Sequence, residues 1–208
     1  MTKIGIVTGM AFEAQLLREA RAFIQCAGLR PRAGQDAAGR LADGGAAALM
    51  SFGIAGGLDP SLKAGTLIIA GEPGWAANLC KLFPAALARP LAHTDRVLTD
   101  PAIKAALFAR TAAAAADMES AGVAEIAAAR GLPFIAVRVI ADTAHDSVPS
   151  VAVSAATADG HVRMVASIAG ALRHPSQIPD LIRLGRQTAI ATAVLRELAR
   201  SDALYSAA

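Results

Sequence analysis

The chain has 208 residues, 54% hydrophobic but only 4% aromatic, which is long enough for one domain whose core is built from aliphatic side chains and close helix packing. Its formal charge of +3 is spread along the sequence and not gathered into a basic stripe, which argues against nucleic acid as a partner. No apolar run reaches the length of a membrane span, and the two cysteines, Cys26 and Cys80, have neither metal-ligand nor redox spacing.

The chain opens on Met1-Thr2-Lys3 without a basic, apolar leader pattern, so a cytoplasmic, reducing compartment is expected. The apolar run Lys3 to Gly9 suits a strand buried on both faces. A helical pattern follows from Met10 to about Arg21, with Glu13 in its first turn. Ala22 to Ala27 reads as a second strand, and Asp36 to Asp43 as a short helix stopped by Gly44-Gly45. Ala46 to Phe52 is a strand running into a glycine-rich loop, Gly53 to Leu58, whose amides are able to cradle an anion or a sugar.

Thr66 to Ala70 reads as a further strand. From Gly71 to Arg96, prolines and glycines break the pattern, leaving one helix near Ala76 to Leu82. Val97 to Pro101 is a strand end and turn. The next helix has Asp100 as cap and Pro101 at its first position, and runs to about Phe108. Thr111 to Asp117 is an alanine-rich strand, and the helix Ser120 to Ala129 ends at Gly131. The segment Pro133 to Ala141 climbs as a strand to Asp142.

A carboxylate at the end of an apolar strand is costly to shelter unless something binds or protonates it, and open α/β sheets place ligands at strand carboxyl ends. Asp142 is therefore read as a working acid, the alternative being an Asp that caps the next helix. Thr143 to Asp159 is expected to be a loop, His161 to Leu172 a helix, and Asp180 to Leu198 a long terminal helix carrying Arg183, Arg186, Arg196 and Arg200. His93, His145, His161 and His174 lack metal-ligand spacing. The alternation predicts an α/β fold, a three-layer αβα sandwich around a mixed, mostly parallel twisted sheet, with residues 1–208 as one domain.

Four stretches in one order resemble the nucleoside phosphorylase and nucleosidase superfamily. They are Ile4-Gly5-Ile6-Val7-Thr8-Gly9-Met10-Ala11-Phe12-Glu13, Ser51-Phe52-Gly53-Ile54-Ala55-Gly56-Gly57-Leu58, Asp117-Met118-Glu119-Ser120 and Arg138-Val139-Ile140-Ala141-Asp142. The resemblance is strongest to the bacterial methylthioadenosine/adenosylhomocysteine nucleosidases and to the hopanoid-associated phosphorylase-like branch. The likeness to the latter, which is linked to removing adenine from adenosylhopane, lies in His174-Pro175-Ser176-Gln177-Ile178-Pro179-Asp180-Leu181-Ile182-Arg183-Leu184.

The resemblance implies cleavage of an N-glycosidic bond without metal or cofactor. Asp142 then protonates the leaving base, Glu13 activates water, and Glu119 grips the ribose hydroxyls. Met10, Ala55, Gly56, Ile103 and Met118 complete the substrate contacts. Because a carboxylate at position 13 would repel phosphate, hydrolysis is favoured over phosphorolysis, with no arginine before Arg18.

Three positions depart from the family pattern. Ala141 and Ile54 stand where nucleosidases carry serine, and Ala102 stands where an aromatic ring often stacks on adenine. A roomier, greasier pocket follows, suited to a bulky 5′ group such as that of adenosylhopane. Alternatives are a methylthioadenosine/adenosylhomocysteine nucleosidase, a phosphate-dependent phosphorylase, or a non-catalytic nucleoside-binding homologue. A homo-oligomer, with a dimer favoured, is also implied; for a lipid substrate the terminal arginines are expected to contact anionic headgroups.

Overall fold

Alternate residues of the strand Phe134–Asp142 go to opposite faces of a sheet, and this division organises the molecule. Ile135, Val137, Val139 and Ala141 enter one hydrophobic core, while Arg138 and Asp142 share the other face. The structure, a computed structural model, describes residues 3–17, 23–162 and 172–206. Among them, in chain order, lie β1 (Ile4–Thr8), α1 (Ala11–Leu16), β2 (Phe23–Cys26), α2 (Ala33–Asp43), β3 (Ala48–Gly57) and β4 (Leu67–Gly71). These are followed by α3 (Pro73–Leu82), β5 (Leu87–Ala88), β6 (Leu91–His93), α4 (Pro101–Thr111), β7 (Ala115–Asp117), α5 (Ser120–Arg130) and β8 (Phe134–Asp142). The chain continues through α6 (Ser150–Ala155), a single 3-10 turn at Pro175–Gln177, α7 (Ile178–Arg200) and α8 (Ala203–Ser206).

The sheet order is β2-β1-β3-β8-β4-β5, with β7 paired to the end of β3 and β6 to β7. Strands β2, β1, β3 and β8 run parallel; β4 is antiparallel to β8, and β7 to β3. On one face, Ala191, Leu195 and Leu198 of α7 and Trp75 and Leu79 of α3 pack on Ile6, Met50, Phe52 and Val137. On the other, the small residues Ala33, Ala37 and Ala38 of α2 allow that helix to lie close to Val123 and Ala127 of α5 over Val7 and Leu49. These are the three layers of an α/β fold with a mixed, mostly parallel sheet.

Several local expectations are corrected. The glycine-rich run Gly53 to Gly57 is strand, not loop: it pairs with β8 from Gly53↔Arg138 to Gly56↔Asp142, with a bulge between Ala55 and Gly56. Val97 to Asp100 forms no strand, and the short strands β5 and β6 lie earlier, in the stretch read as irregular. The alanine-rich strand begins only at Ala115, because α4 continues to Thr111 and Ala112 turns left-handed at φ 51°. Helix α6 interrupts the expected loop after Thr143. The helix proposed to about Arg21 is seen over Ala11–Leu16, and residues 18–21 lie outside the described residues, as do 163–171 of the helix proposed from His161.

Candidate active site

The carboxyl ends of β1, β3 and β8 meet beside the entry to α5, where they enclose a cavity of about 560 Å3. Gly9, Met10, Phe12 and Glu13 wall it from the β1 end; Ile54, Ala55 and Gly56 from β3; Met118 and Glu119 from the turn into α5; and Asp142 from β8. Of the site residues expected from sequence, Asp142, Glu13, Met10, Ala55, Gly56, Met118 and Glu119 therefore lie on one cavity. Ile103 does not. It stands 47% exposed on α4 and is no part of the wall, because the helix turns the neighbouring Lys104 inward instead.

The floor is charged. Arg138, 1% exposed, takes Asp117 through Nε at 2.5 Å and Glu119 Oε2 through Nη2 at 3.1 Å. It also donates to Ser51 Oγ at 2.7 Å, to Ser120 Oγ and to the Ile54 carbonyl. Ser120 Oγ donates in turn to Asp117, which locks the turn into α5. A buried guanidinium is tolerable only when its donors are satisfied in this way.

Glu13 Oε2 accepts from the amides of Gly9 at 3.0 Å and Met10 at 2.8 Å, and Oε1 from that of Ile54 at 2.8 Å. The side chain thus fastens the β1 turn to β3. Burial raises its pKa, against the Arg138 charge and those three amides. The fit demands glycine at position 53, where a Cβ would stand 2.4 Å from Glu13 Oε1 and 2.7 Å from Arg138 Nη1. Glu119 is also raised, to about 7, by burial first and then by Asp117 and Glu13, with Arg138 opposing.

Asp142 is held by Lys104 of α4, whose Nζ donates to Oδ2. Burial raises the Asp142 pKa and the Lys104 charge lowers it. Beyond this floor the wall is mostly apolar, with Leu29, Val97, Leu98, Val148, Val153, Val162, Leu181 and Leu184, interrupted by Thr94, Arg96 and Thr188. Among the described residues no His/Cys/Asp/Glu group could hold a metal ion, and no helix is long and apolar enough to cross a membrane. His145, close after Asp142 in sequence, is exposed, with Nε2 3.3 Å from the Pro60 carbonyl.

Sequence reasoning missed Lys104 as a site residue and cited Arg138 without a role. Both carried a signal. Lys104 lies three residues before buried Leu107 on one helix face, and Arg138 sits four before Asp142 on one strand face.

Residues 85–174 match the family model described as phosphorylase superfamily, a span that contains Lys104, Asp117, Glu119, Arg138 and Asp142. A search of curated proteins gives no match. Among solved structures, a 5′-methylthioadenosine/S-adenosylhomocysteine nucleosidase from Colwellia psychrerythraea in complex with adenine is similar at TM-score 0.63 and 20% identity, covering 69% of this chain and 84% of that one. Futalosine hydrolase of Helicobacter pylori is similar at TM-score 0.63 and 17% identity, covering 69% and 86%. A Helicobacter pylori nucleosidase mutant with 5′-methylthioadenosine in its active site gives TM-score 0.63 at 14% identity over 95% and 99% of the two chains. At these identities the likeness is one of fold.

Proposed function

We propose, from a chain whose residues 85–174 are phosphorylase-superfamily sequence on a nucleoside phosphorylase-like fold, that this protein hydrolyses the N-glycosidic bond of an adenine nucleoside with a bulky apolar 5′ substituent. Adenosylhopane is the favoured substrate. The observation that carries the reading is that Asp142, Glu119 and Glu13 wall the same cavity. Leaving of the base builds negative charge on the purine and positive charge on the ribose, so an acid is needed at one and carboxylates near the other. Asp142 is the acid that protonates the base. Glu119, partnered on one oxygen by Arg138, accepts from the ribose hydroxyls.

Glu13 takes the proton of the attacking water. Its Oε2 already accepts two amides, whereas Oε1 accepts one and keeps a lone pair. Water is favoured over phosphate because the floor carries Glu13, Asp117 and Glu119, while its buried cation, Arg138, is already bonded to Asp117, Glu119, Ser51 and Ser120. Arg96, on the wall, is exposed; Arg18 lies outside the described residues. The apolar upper wall supports a large hydrocarbon 5′ group over a small polar one. Residues 1–208 are taken as one domain, and Ile4 and Leu204 entering the same core support this.

The test is adenine release from a series of 5′-substituted adenosines, with and without phosphate. Free adenine and free sugar without phosphate, fastest for the longest apolar 5′ group, are expected. Strict dependence on phosphate would replace hydrolysis by phosphorolysis. Binding that raises the unfolding midpoint without turnover under either nucleophile would make the protein a nucleoside binder.

A further inference from the structure

Lys104 is fully buried, 0% exposed, on the helix α4, whose exposed side carries Ile103. Its ammonium makes three bonds: to Asp142 Oδ2, to the Thr143 carbonyl at 2.8 Å and to the Asp146 carbonyl at 2.9 Å. An ammonium has three protons, so this one is saturated, and all its partners belong to the end of β8 and the turn after it. A lysine so buried is far more expensive than an alanine or leucine at the same place unless its charge is balanced, and Asp142 is the carboxylate it touches. The residue beside the acid, Ala141, offers no side-chain donor.

We infer that Lys104 is the positioning residue of the acid: by occupying Oδ2 it leaves Oδ1 as the oxygen that carries and delivers the proton. The reasoning is chemical. An ammonium only donates, so the oxygen it holds must accept, and a proton on the carboxyl is therefore carried by the other oxygen. Among the described residues no donor reaches Oδ1, and the side chain, 13% exposed, opens on the cavity. Lys104 thus selects which oxygen of Asp142 is the acid and, through its two carbonyl bonds, fixes the turn that aims it.

The surroundings of Asp142 fix the sign of the electrostatic effect. Lys104 faces it from α4 and favours its ionised form; Asp146, in the following turn, opposes ionisation. Asp146 is itself engaged by Arg183 Nε at 2.8 Å and Gln187 Nε2 at 2.9 Å from α7, and by Thr143. The other charges on the cavity wall are Glu13, Asp117, Glu119 and Arg96. Removing the Lys104 charge therefore raises the pH at which Asp142 loses its proton.

The inference rests on Asp142 being the acid of the proposed reaction, and its test separates the two. In Lys104→Gln, the carboxyl carbon of Asp142 is followed by NMR across pH in the ligand-free protein, and the pH profile of adenine release from the fastest substrate of the 5′-substituted adenosine series is followed alongside. The expected results are an upward shift of the Asp142 titration, a kcat at least tenfold lower near neutrality with KM changed less than threefold, and an alkaline limb moved up with the titration. An unmoved titration overturns the inference whatever the activity. A moved titration with an unmoved alkaline limb overturns Lys104 as the positioning residue of a catalytic acid. If the wild-type protein releases no adenine from any member of the 5′-substituted series while Lys104→Gln still shifts the titration, the pair stands and the hydrolase reading is defeated instead. Where Lys104→Gln does not fold, the double variant Lys104→Gln/Asp142→Asn is expected to fold, because the stranded carboxylate is gone; failure of that rescue also overturns the pairing.

Discussion

Arg138 Nη2 stands 3.1 Å from Glu119 Oε2, and the same guanidinium serves Asp117 and lies in the field of Glu13. One buried cation thus faces three carboxylates, which is why burial, aided by Asp117 and Glu13, lifts Glu119 to about 7. If the ionised Glu119 accepts from the ribose hydroxyls, kcat/KM for the nucleoside rises through about pH 7 as that proton is lost. Glu119→Gln is expected to flatten this limb and to raise KM by tenfold or more. A limb near pH 7 that survives the substitution would assign it to another group.

The same shift acts on stability with a definite sign. The folded pKa of Glu119 lies above the ordinary 4.5, so the folded state binds more protons than the unfolded one between the two values. The contribution is fully present below about pH 4.5 and is lost as pH rises through about 7. Glu13 and Asp142, both raised by burial, act in the same direction. Urea midpoints measured at pH 5 and pH 8 should therefore fall with rising pH, and Glu119→Gln should reduce that fall. A midpoint that climbs over this interval would contradict the placement of these acids.

Asp142→Asn keeps the shape of the side chain and removes its ability to give a proton. Loss of a positioned acid typically costs 10²- to 10⁴-fold in rate, and a drop of that order in kcat is expected, with nucleoside binding retained by calorimetry. Unchanged turnover would remove Asp142 from the chemistry.

The layers were legible in the sequence because they rest on periodicity. Uniform apolar runs gave β1 and β8, and caps such as Asp100-Pro101 and Gly131 gave helix ends; Asp100 indeed accepts from the Ala102 amide at 2.7 Å, and Gly131 sits at φ 63°. The glycines of β3 misled because glycine weakens a strand in isolation, whereas here pairing with β8 supplies the stability and close packing against carboxylates supplies the requirement. Ile103 was taken from family likeness alone, and one position of helical rotation decides that Lys104 and not Ile103 turns inward. Lys104 was hard to see because a buried lysine can be justified only by its partner at position 142, 38 residues away.

Gly53→Ala tests the packing of that floor. A methyl group there would lie 2.4 Å from Glu13 Oε1 and 2.7 Å from Arg138 Nη1, inside contact distance of two fully buried charged groups. Overpacking of this kind typically costs about 1–3 kcal/mol, which should appear as a lowered denaturant midpoint with an unchanged slope. The companion Gly39→Ala, where the added carbon meets nothing within 4 Å, is expected to be neutral or stabilising in its helix. Equal effects at the two positions would mean that the crowding at Gly53 is not what the fold depends on.

Arg138→Met removes the cation and leaves Asp117 and Glu119, both under 10% exposed, without their shared partner. Breaking a buried ion pair from one side costs about 3–5 kcal/mol, because the stranded charge must be protonated or hydrated. The expected result is a strongly destabilised protein at pH 8 that recovers in part at pH 5, where the carboxyls take up protons. That recovery distinguishes an electrostatic cause from a packing one. Equal destabilisation at both pH values would show that the guanidinium acts chiefly as filler and that the three acids do not depend on it for their charge.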